Sequence, residues 1–319
     1  MLFRSDILIP TYNRSECLKK NILILWGQIS KYELEQEVRI LVSDNHSTDT
    51  TPDVLSEIGK DFPAQLKVYR QDRNIGLESN ALFLLEKASS VYVMYLGDDD
   101  YLPDGYLAFV LEKIREESIH CIIPGFSGLH PDGVVKQART ANFPFKKYAP
   151  GFLTVCELSN FGHQLSGLVT KREGLYEAYS EREECRNIYP FVFFVAYCML
   201  RGCTYYAPKY QVLVSQGNSK DWRYDDSGLL IDIFKNYRIV FPREPIKAAW
   251  ASIAFARAQP GRLRVGLNPI NAIKAFAHLA ASKEVSPLIK ASLIVLYPYC
   301  YVEKSLSVLK RRIFSGKVT

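Results

Sequence analysis

Three consecutive carboxylates, Asp98, Asp99 and Asp100, follow directly after the apolar stretch VYVMYL at residues 91–96. Adjacent carboxylates at the end of a buried strand repel one another unless a cation or hydrogen-bond donors compensate their charge. A hard divalent cation takes one or two carboxylates and completes its coordination with water and with phosphate oxygens of a ligand. The Asp-x-Asp spacing therefore indicates a Mg²⁺ or Mn²⁺ site that holds a diphosphate. A solvated turn that caps the next helix is the alternative, because residues 98–105 are rich in turn formers.

The elements that must position these carboxylates alternate between strand and helix in the first 123 residues. Apolar runs predict strands at residues 6–10, 38–43, 66–69, 91–96 and 121–125. Helices are predicted from Ser15, from near Pro52, and over residues 78–88 and 104–117. This order predicts an α/β fold with a mostly parallel sheet and helices on both faces.

Polar loops follow four of these strands, and the carboxyl ends of the strands are where such sheets bind ligands. The loops read PTYNR, DNHSTD, RQDRNIG and GDDD along the chain. The sequence contains neither a Walker A motif nor G-x-G-x-x-G, so a nucleotide diphosphate would not be held by either of those phosphate loops. A metal ion held by the GDDD loop would bind the diphosphate instead.

Composition and charge indicate a globular protein whose basic character lies in its tail. The 319 residues are 48% hydrophobic with a net charge of +6, and residues 243–319 hold 13 Lys and Arg against 3 Glu. This placement predicts a membrane surface, or another anionic partner, for the tail rather than for the whole molecule. No nucleic-acid partner is expected. Seven cysteines without a CxxC pair, and an amino terminus without an export signal, predict reduced thiols and a cytoplasmic location.

Four ordered motifs resemble glycosyltransferase family 2, which has the GT-A fold. They are ILIPTYNR, LVSDNHSTDTT, RNIGLESNALFLLEKA and YVMYLGDDDYLPDGYL, and the resemblance covers roughly residues 5–110. It implies three regions: a nucleotide-sugar-binding half over residues 1–123, an acceptor-binding half over 124–242, and a basic helical extension over 243–319.

The resemblance also implies roles for particular residues. Contacts to the nucleotide sugar are expected from Pro10, Thr11, Tyr12, Asn13, Arg14, Asp44, Asn74 and Gly76. At the metal, an alignment on the final acidic pair selects Asp99 and Asp100, whereas a literal Asp-x-Asp selects Asp98 and Asp100. Asp100 occurs in both alignments and is therefore predicted as the first ligand.

The catalytic base is harder to place. The family often uses an acidic pair at the start of a helix that ends in glycine, and counting back from Gly202 puts that pair near Pro190 and Phe191. Glu183 or Glu184 is predicted as the substitute, with His163 as the third alternative. Further along, the SQGNSKDWR segment resembles a loop that closes over the diphosphate, with contacts from Lys220, Trp222 and Arg223.

The tail over residues 286–317 combines an apolar stretch with a basic cluster. Its uninterrupted apolar run is short for a membrane-spanning helix. A helix lying on an anionic leaflet is predicted, held by Lys304, Lys310, Arg311 and Arg312 and by the apolar residues Leu293, Leu296 and Tyr297. A helix packed on the catalytic domain is the alternative.

These observations predict a metal-dependent inverting glycosyltransferase. Its donor would be a nucleotide-diphosphate sugar, with a UDP-sugar expected. Its acceptor would be a glycan, lipid-linked, in cell-surface polysaccharide or O-antigen synthesis at the inner face of the cytoplasmic membrane. Transfer of a polyol phosphate on the same scaffold, and a catalytically silent nucleotide or sugar binder, are the alternatives.

Overall fold

Strands and helices alternate through the first half of the chain. The computed structural model describes residues 3–61, 64–116, 118–139, 145–217, 229–265 and 269–315, without the side chains of 137–139, 305 and 307–315. The first strands are β1 (Ser5–Thr11), β2 (Val38–Asp44), β3 (Leu66–Arg70), β4 (Tyr92–Tyr95) and β5 (Ile119–Leu129). The helices between them are α1 (Ser15–Lys31), α2 (Thr51–Asp61), α3 (Leu77–Lys87) and α4 (Tyr106–Ile114).

The second half is more irregular and ends in helices. It continues with β6 (Val135–Arg139), β7 (Lys146–Tyr148), α5 (Phe152–Leu158), β8 (Val169–Lys171), α6 (Leu175–Ser180), α7 (Pro190–Met199) and β9 (Cys203–Ser215). The last helices are α8 (Leu230–Val240), α9 (Pro245–Ala258), α10 (Pro269–Ala281) and α11 (Pro287–Ser315). Short 3₁₀ helices lie at Ser159–His163, Glu183–Cys185 and Pro260–Leu263.

One mixed sheet organises all the described strands. Their order is β3-β2-β1-β4-β8-β5-β9-β7, and β6 pairs with β5 at the side of this path. β1, β2, β3 and β4 are parallel, β8 is antiparallel to both β4 and β5, and β9 returns parallel to β5. The predicted α/β fold with a mostly parallel sheet and a helical C-terminal extension is confirmed.

The strands are buried on both faces because helices cover both. Successive side chains of a strand point to opposite faces, and in β1 Ile7 and Ile9 join the core under α1, α2 and α4. Leu8 joins the other core, beneath α3 and α7. This two-sided burial explains why the strands read as continuous apolar runs rather than as alternating ones.

The apolar run at residues 187–202 forms α7, which is buried on nearly all sides, as predicted. In the C-terminal extension, Leu293, Leu296 and Tyr297 of α11 are also buried in the main core, with exposures of 1%, 7% and 9%. The prediction that these three residues contact a membrane is therefore wrong, because they pack against the protein itself. Within the described ranges, no helix is both long and apolar enough to cross a bilayer.

One of the two predicted region boundaries falls inside a strand, and the other falls between two helices. The boundary at residues 123 and 124 falls inside β5, so the two halves share a strand of the same sheet. The boundary at 242 and 243 falls between the end of α8 and the start of α9. The division into three regions stays a prediction.

A fully buried carboxylate near the amino end of β1 links this strand to β2 and to the segment before β4. Asp6 accepts hydrogen bonds from Arg39 Nε (3.0 Å) and Nη2 (2.9 Å) and from the backbone of Ser89 (2.8 Å) and Ser90 (3.0 Å). Arg39→Leu would remove the only positive charge among these donors, and a buried charge that loses its partner costs about 3–5 kcal/mol. We expect a loss of this size in the free energy of unfolding, measured with urea.

The matched control is Arg115→Leu, because the Arg115–Glu37 pair (3.1 Å) lies on the surface and its arginine side chain is 55% exposed. Removal of such a pair changes stability by about 0–1 kcal/mol. Equal losses for the two variants would show that the Asp6–Arg39 pair has no special importance.

Candidate functional site

The aspartate loop after β4 is fixed from two directions. From α1, the amide of Asn21 donates to the carbonyl oxygens of Gly97 (2.8 Å) and Asp100 (2.7 Å). From β9, Leu213 exchanges two backbone hydrogen bonds of 2.9 Å with Tyr101. The carboxylates therefore stand on a rigid backbone at the carboxyl end of the sheet.

Asp100 points into the protein, where it is 3% exposed. Its Oδ2 accepts from Ser166 Oγ (2.5 Å) and Gln164 Nε2 (3.3 Å), and its Oδ1 accepts from the backbone N–H of Ser215 (2.9 Å). Hydrogen bonds to an ionised acceptor are stronger than those between neutral groups. The charge of Asp100 is thus compensated by protein donors, and it joins the aspartate loop to β9.

This arrangement explains why glycine precedes the three aspartates. A Cβ atom on Gly97 would lie 2.9 Å from Asp100 Oδ2 and 3.2 Å from Ser166 Oγ. Any side chain there would push the Asp100 carboxylate away from its donors. A glycine at position 97 therefore fits the inward position of Asp100.

Asp98 and Asp99 also border the cavity described next, together with Asp100. Thr11, the last residue of β1, donates its hydroxyl to Asp98 Oδ2 (2.7 Å). Asp99 is 1% exposed, and its backbone carbonyl accepts from the Ser215 hydroxyl. Carboxylates that border a cavity fit a Mg²⁺ or Mn²⁺ ion that also coordinates phosphate oxygens. Within the described residues, no group of three or more His, Cys, Asp or Glu side chains is arranged to hold a metal.

A cavity of about 590 Å³ opens beside these aspartates. Its nucleotide-half wall is lined by Pro10, Thr11, Tyr12, Arg14, Asn45, Asn74, Leu77 and Asn80. The opposite wall is lined by His163, Gln164, Leu165, Ile188, Tyr189, Phe191, Val214, Ser215, Gln216 and Arg262. Its size lies within the roughly 300–1,000 Å³ typical of small-molecule sites.

Of the predicted nucleotide contacts, Asn13, Asp44 and Gly76 do not line this cavity. Asn13 adopts a φ of 54° and uses its Oδ1 to accept from the backbone of Thr48 (2.8 Å), which holds the first two loops together. Asp44 is 1% exposed; its Oδ1 accepts from the backbone of Ser47 (2.9 Å). Its Oδ2 lies 3.7 Å from Arg70 Nη1 and accepts no hydrogen bond within the described residues. The role of all three in nucleotide binding stays a prediction.

Two asparagines that the sequence analysis missed complete the nucleotide-half wall. Asn45 donates to Asn74 Oδ1 (2.9 Å) and accepts from the backbone of Ile75 (2.8 Å). The backbone of Gly76 donates to Asn74 Oδ1 (3.0 Å), where a φ of 83° favours glycine. Asn80 on α3 exchanges hydrogen bonds with Ser43. Asn45 could have been suspected, because it follows Asp44 directly at the end of β2.

The three predicted bases occupy different places. Glu183 and Glu184 are exposed residues of a 3₁₀ helix and do not line the cavity. His163 does line it, and its Nδ1 lies 2.7 Å from the carbonyl oxygen of Asn160. Because a carbonyl oxygen only accepts, Nδ1 of a neutral imidazole must carry the proton there, which makes Nε2 the basic nitrogen.

The wall opposite the nucleotide half contains residues that no local pattern indicated. The guanidinium of Arg262 lies 4.9 Å from the ring centre of Tyr189, and both line the cavity. Gln164 follows His163 directly, and Gln216 follows the end of β9. The predicted contacts of Lys220, Trp222 and Arg223 lie outside the described residues.

The negative charge of the aspartate loop influences its neighbours. Burial raises the pKa of the Cys17 thiol, and the charges of Asp99 and Asp98 raise it further. Burial likewise raises the pKa of Tyr101, with smaller contributions from Cys17 and the three aspartates. Both groups therefore stay neutral at pH 7 beside a site whose field attracts cations.

Comparison with known proteins agrees with this architecture. Residues 6–156 match the family model "Glycosyl transferase family 2". A GalNAc(5)-diNAcBac-PP-undecaprenol beta-1,3-glucosyltransferase of Campylobacter jejuni is 28% identical over 164 residues, which are 48% of this chain and 52% of that relative. The chain thus matches about half the length of this curated relative.

Two solved structures share the fold over nearly the whole chain. S. aureus TarS 1–349 in complex with UDP-GlcNAc has a TM-score of 0.65 at 14% identity, covering 96% of this chain and 92% of that one. Mannosyltransferase PcManGT from Pyrobaculum calidifontis, in complex with GDP-Man and Mn²⁺, has a TM-score of 0.53 at 15% identity, covering 95% and 88%. At these identities the likeness shows the fold alone.

The sheet, its carboxyl-end cavity and these matches define a glycosyltransferase domain of the GT-A type. Residues 6–156, a little under half of the chain, match glycosyl transferase family 2. The predictions of this family and of the GT-A fold are confirmed.

Proposed function

We propose that the chain is a metal-dependent, inverting glycosyltransferase that uses a nucleotide-diphosphate sugar, with a UDP-sugar as the expected donor. The observation that carries this proposal is the cavity itself. It brings the end of β1, the loop before α3 and the aspartate loop together on one side, and His163 and Arg262 on the other. A donor held by the first wall would present its sugar to the second.

The nucleotide half supplies polar groups suited to the donor. Pro10, Thr11, Tyr12 and Asn74 line the wall where the base and ribose would lie, and Arg14 borders the same wall. A bound Mg²⁺ or Mn²⁺ held by Asp98 and Asp99 would stabilise the negative charge of the departing diphosphate. Asp100 would keep the aspartate loop in place through its bonds to Ser166 and Ser215.

His163 is our proposed general base. Its Nε2 would take the proton of the acceptor hydroxyl while that oxygen bonds to the anomeric carbon on the face opposite the diphosphate. The bond from the anomeric carbon to the diphosphate oxygen breaks, and the nucleoside diphosphate leaves with the electron pair. Such an attack inverts the anomeric configuration. The assignment of the base to His163 is supported by its position, because His163 lines the cavity and the other predicted bases, Glu183 and Glu184, do not.

We propose a glycan on a lipid-linked carrier as the acceptor, in the synthesis of a bacterial surface polysaccharide such as O-antigen. The support comes from the Campylobacter jejuni relative, whose name specifies a PP-undecaprenol substrate. We place the protein in the cytoplasm, peripheral on the inner face of the membrane. Two features support this location. Ile294 and Val295 on α11 have exposed apolar side chains, 64% and 72% accessible, and the tail that follows them is basic.

A panel of nucleotide-diphosphate sugars tests the proposal. We expect the full chain to release nucleoside diphosphate from one donor with Mn²⁺ or Mg²⁺, and to lose this activity with EDTA, because the diphosphate charge is then no longer stabilised. Release is measured with a coupled assay, and an Asp98→Asn chain is the control. Metal-dependent nucleotide binding without any release would favour a silent binder. Release of nucleoside monophosphate from a nucleotide-activated polyol phosphate, without any nucleoside diphosphate from the sugar donors, would favour the other transferase, because moving the polyol phosphate leaves one phosphate on the nucleoside.

A further inference from the structure

A second cavity lies in the C-terminal extension, between α10 and α11. It has a volume of about 400 Å³, and the described residues that line it are all aliphatic, aromatic or proline: Val265, Pro269, Ala272, Ile273, Phe276, Tyr297, Pro298, Tyr301 and Val302. Val265 (2% exposed), Ala272 (8%) and Tyr297 (9%) are buried lining residues, whereas Ile273 (65%) and Val302 (56%) are open to solvent. We call this feature the α10–α11 groove.

The residues themselves explain why the groove exists. Pro298 lies inside α11 and lacks a backbone N–H, so the helix loses a hydrogen bond at this turn. Across from it, Ala272 provides a methyl group where a larger side chain would fill the space. Phe276 and Tyr297 meet edge to face at a ring distance of 5.3 Å. The groove is therefore a gap between well-packed helices rather than a loose region of the core.

Residues only three positions apart in the chain line the groove and the catalytic cavity. Arg262, in the 3₁₀ helix Pro260–Leu263, lines the catalytic cavity, and Val265, three residues later, lines the groove. Leu263 between them is fully buried, and Arg264 has a φ of 56°, so the chain turns sharply here. A ligand that passes this segment would have one end in each site.

Positive charge marks the junction of the two sites. Lys304 Nζ lies 2.5 Å from the carbonyl oxygen of Val265, at the border of the groove. Arg262 lines the catalytic cavity on the other side of the segment that ends at Val265. Arg262 and Lys304 would therefore complement a phosphate group placed between the catalytic cavity and the groove.

We infer that the α10–α11 groove binds the isoprene units next to the diphosphate of a lipid-diphosphate acceptor, with the diphosphate near Arg262 and Lys304 and the glycan in the catalytic cavity. This inference rests on the proposed function and specifies its acceptor. A lining without charged side chains cannot recognise a polar headgroup, but it suits a hydrocarbon chain, and about 400 Å³ lies within the range of small-ligand sites. The adjoining cations then select a chain that carries phosphate.

The test is a binding measurement on the full chain with a matched pair of variants. Ile273→Glu places a carboxylate in the groove, and Ile246→Glu on α9 is its control, because both isoleucines are 65% exposed and Ile246 does not line the groove. The probes are a radiolabelled long-chain polyprenyl diphosphate in non-ionic detergent, palmitate, and inorganic diphosphate. We expect Ile273→Glu to weaken polyprenyl diphosphate binding at least about tenfold, since a charge in an apolar site is costly. Ile246→Glu should bind like the wild type.

Other outcomes would overturn the inference. Equal affinity of both variants, or palmitate bound as tightly as polyprenyl diphosphate, would show that the groove does not select this lipid. A concentration-dependent dimer that Ile273→Glu dissociates, seen by sedimentation, would identify a second copy of the chain as the occupant. A wild type that binds polyprenyl diphosphate but consumes no nucleotide sugar would instead reject the proposed function and leave the groove assignment standing.

Discussion

Asp98→Asn and Asp99→Asn are expected to remove metal-dependent turnover without unfolding the protein, whereas Asp100→Asn is expected to unfold it more easily. At positions 98 and 99 the amide keeps the volume but loses the charge that would hold the cation, and loss of such electrostatic stabilisation lowers kcat by roughly 10²–10³-fold. At position 100 the change weakens three hydrogen bonds to a buried carboxylate. A loss of about 1–3 kcal/mol is typical of that change.

Three measurements separate these roles. Calorimetric titration of Mn²⁺ in the presence of UDP reports the cation site, release of nucleoside diphosphate reports turnover, and urea unfolding reports stability. Asp100→Asn that unfolds like the wild type but no longer binds Mn²⁺ would support the sequence-based ranking of Asp100 as first ligand. It would also contradict our assignment of the metal to Asp98 and Asp99.

Much of the nucleotide half could be predicted from the sequence because its signals are local. The helical spacing of Leu18, Ile22, Leu25 and Ile29 predicts α1, and all four are fully buried. The predicted strand at residues 6–10 is β1 with one residue added at each end. Each polar loop begins where its own strand ends. Because β1 and β4 are parallel neighbours, their pairing brings Thr11 close to Asp98.

The opposite wall could not be predicted because its contacts are distant in the chain. The three-residue strand β8 carries no periodic signal, yet it lies between β4 and β5 and places Ser166 beside Asp100. Ser215 reaches Asp100 across 115 positions. Arg262 joins the cavity from a 3₁₀ helix in the extension. No short pattern specifies such juxtapositions, because tertiary packing determines them.

The tail shows how one composition is compatible with two structures. Leu293, Leu296 and Tyr297 beside a basic cluster are typical of a helix that lies on a membrane, but also of a helix packed on a domain. Their burial shows the second arrangement for these three residues. The side chains of Lys310, Arg311 and Arg312 lie outside the described part of the structure, and their contact with an anionic leaflet stays a prediction.

His163→Ala is expected to lower kcat by about 10²–10⁴-fold, which is the usual contribution of a positioned general base. The KM for the nucleotide sugar should stay within about threefold of the wild type, because the predicted donor contacts, such as Thr11 and Asn74, are on the opposite wall. Steady-state kinetics with donor and acceptor varied separately measure both quantities. Added imidazole should restore part of the lost rate, since it can occupy the vacated space and accept the proton.

The rescue separates catalysis from a purely structural role. His163 also bonds to the carbonyl of Asn160, so its loss could disturb the 3₁₀ helix Ser159–His163, but imidazole in solution would not repair a displaced backbone. Glu183→Gln and Glu184→Gln are the controls, because both glutamates are exposed and away from the cavity, and both variants should keep near-normal turnover. If one of them loses turnover while His163→Ala keeps it, the proton is taken by that glutamate. The 3₁₀ helix Glu183–Cys185 would then have to move to the cavity when substrate binds.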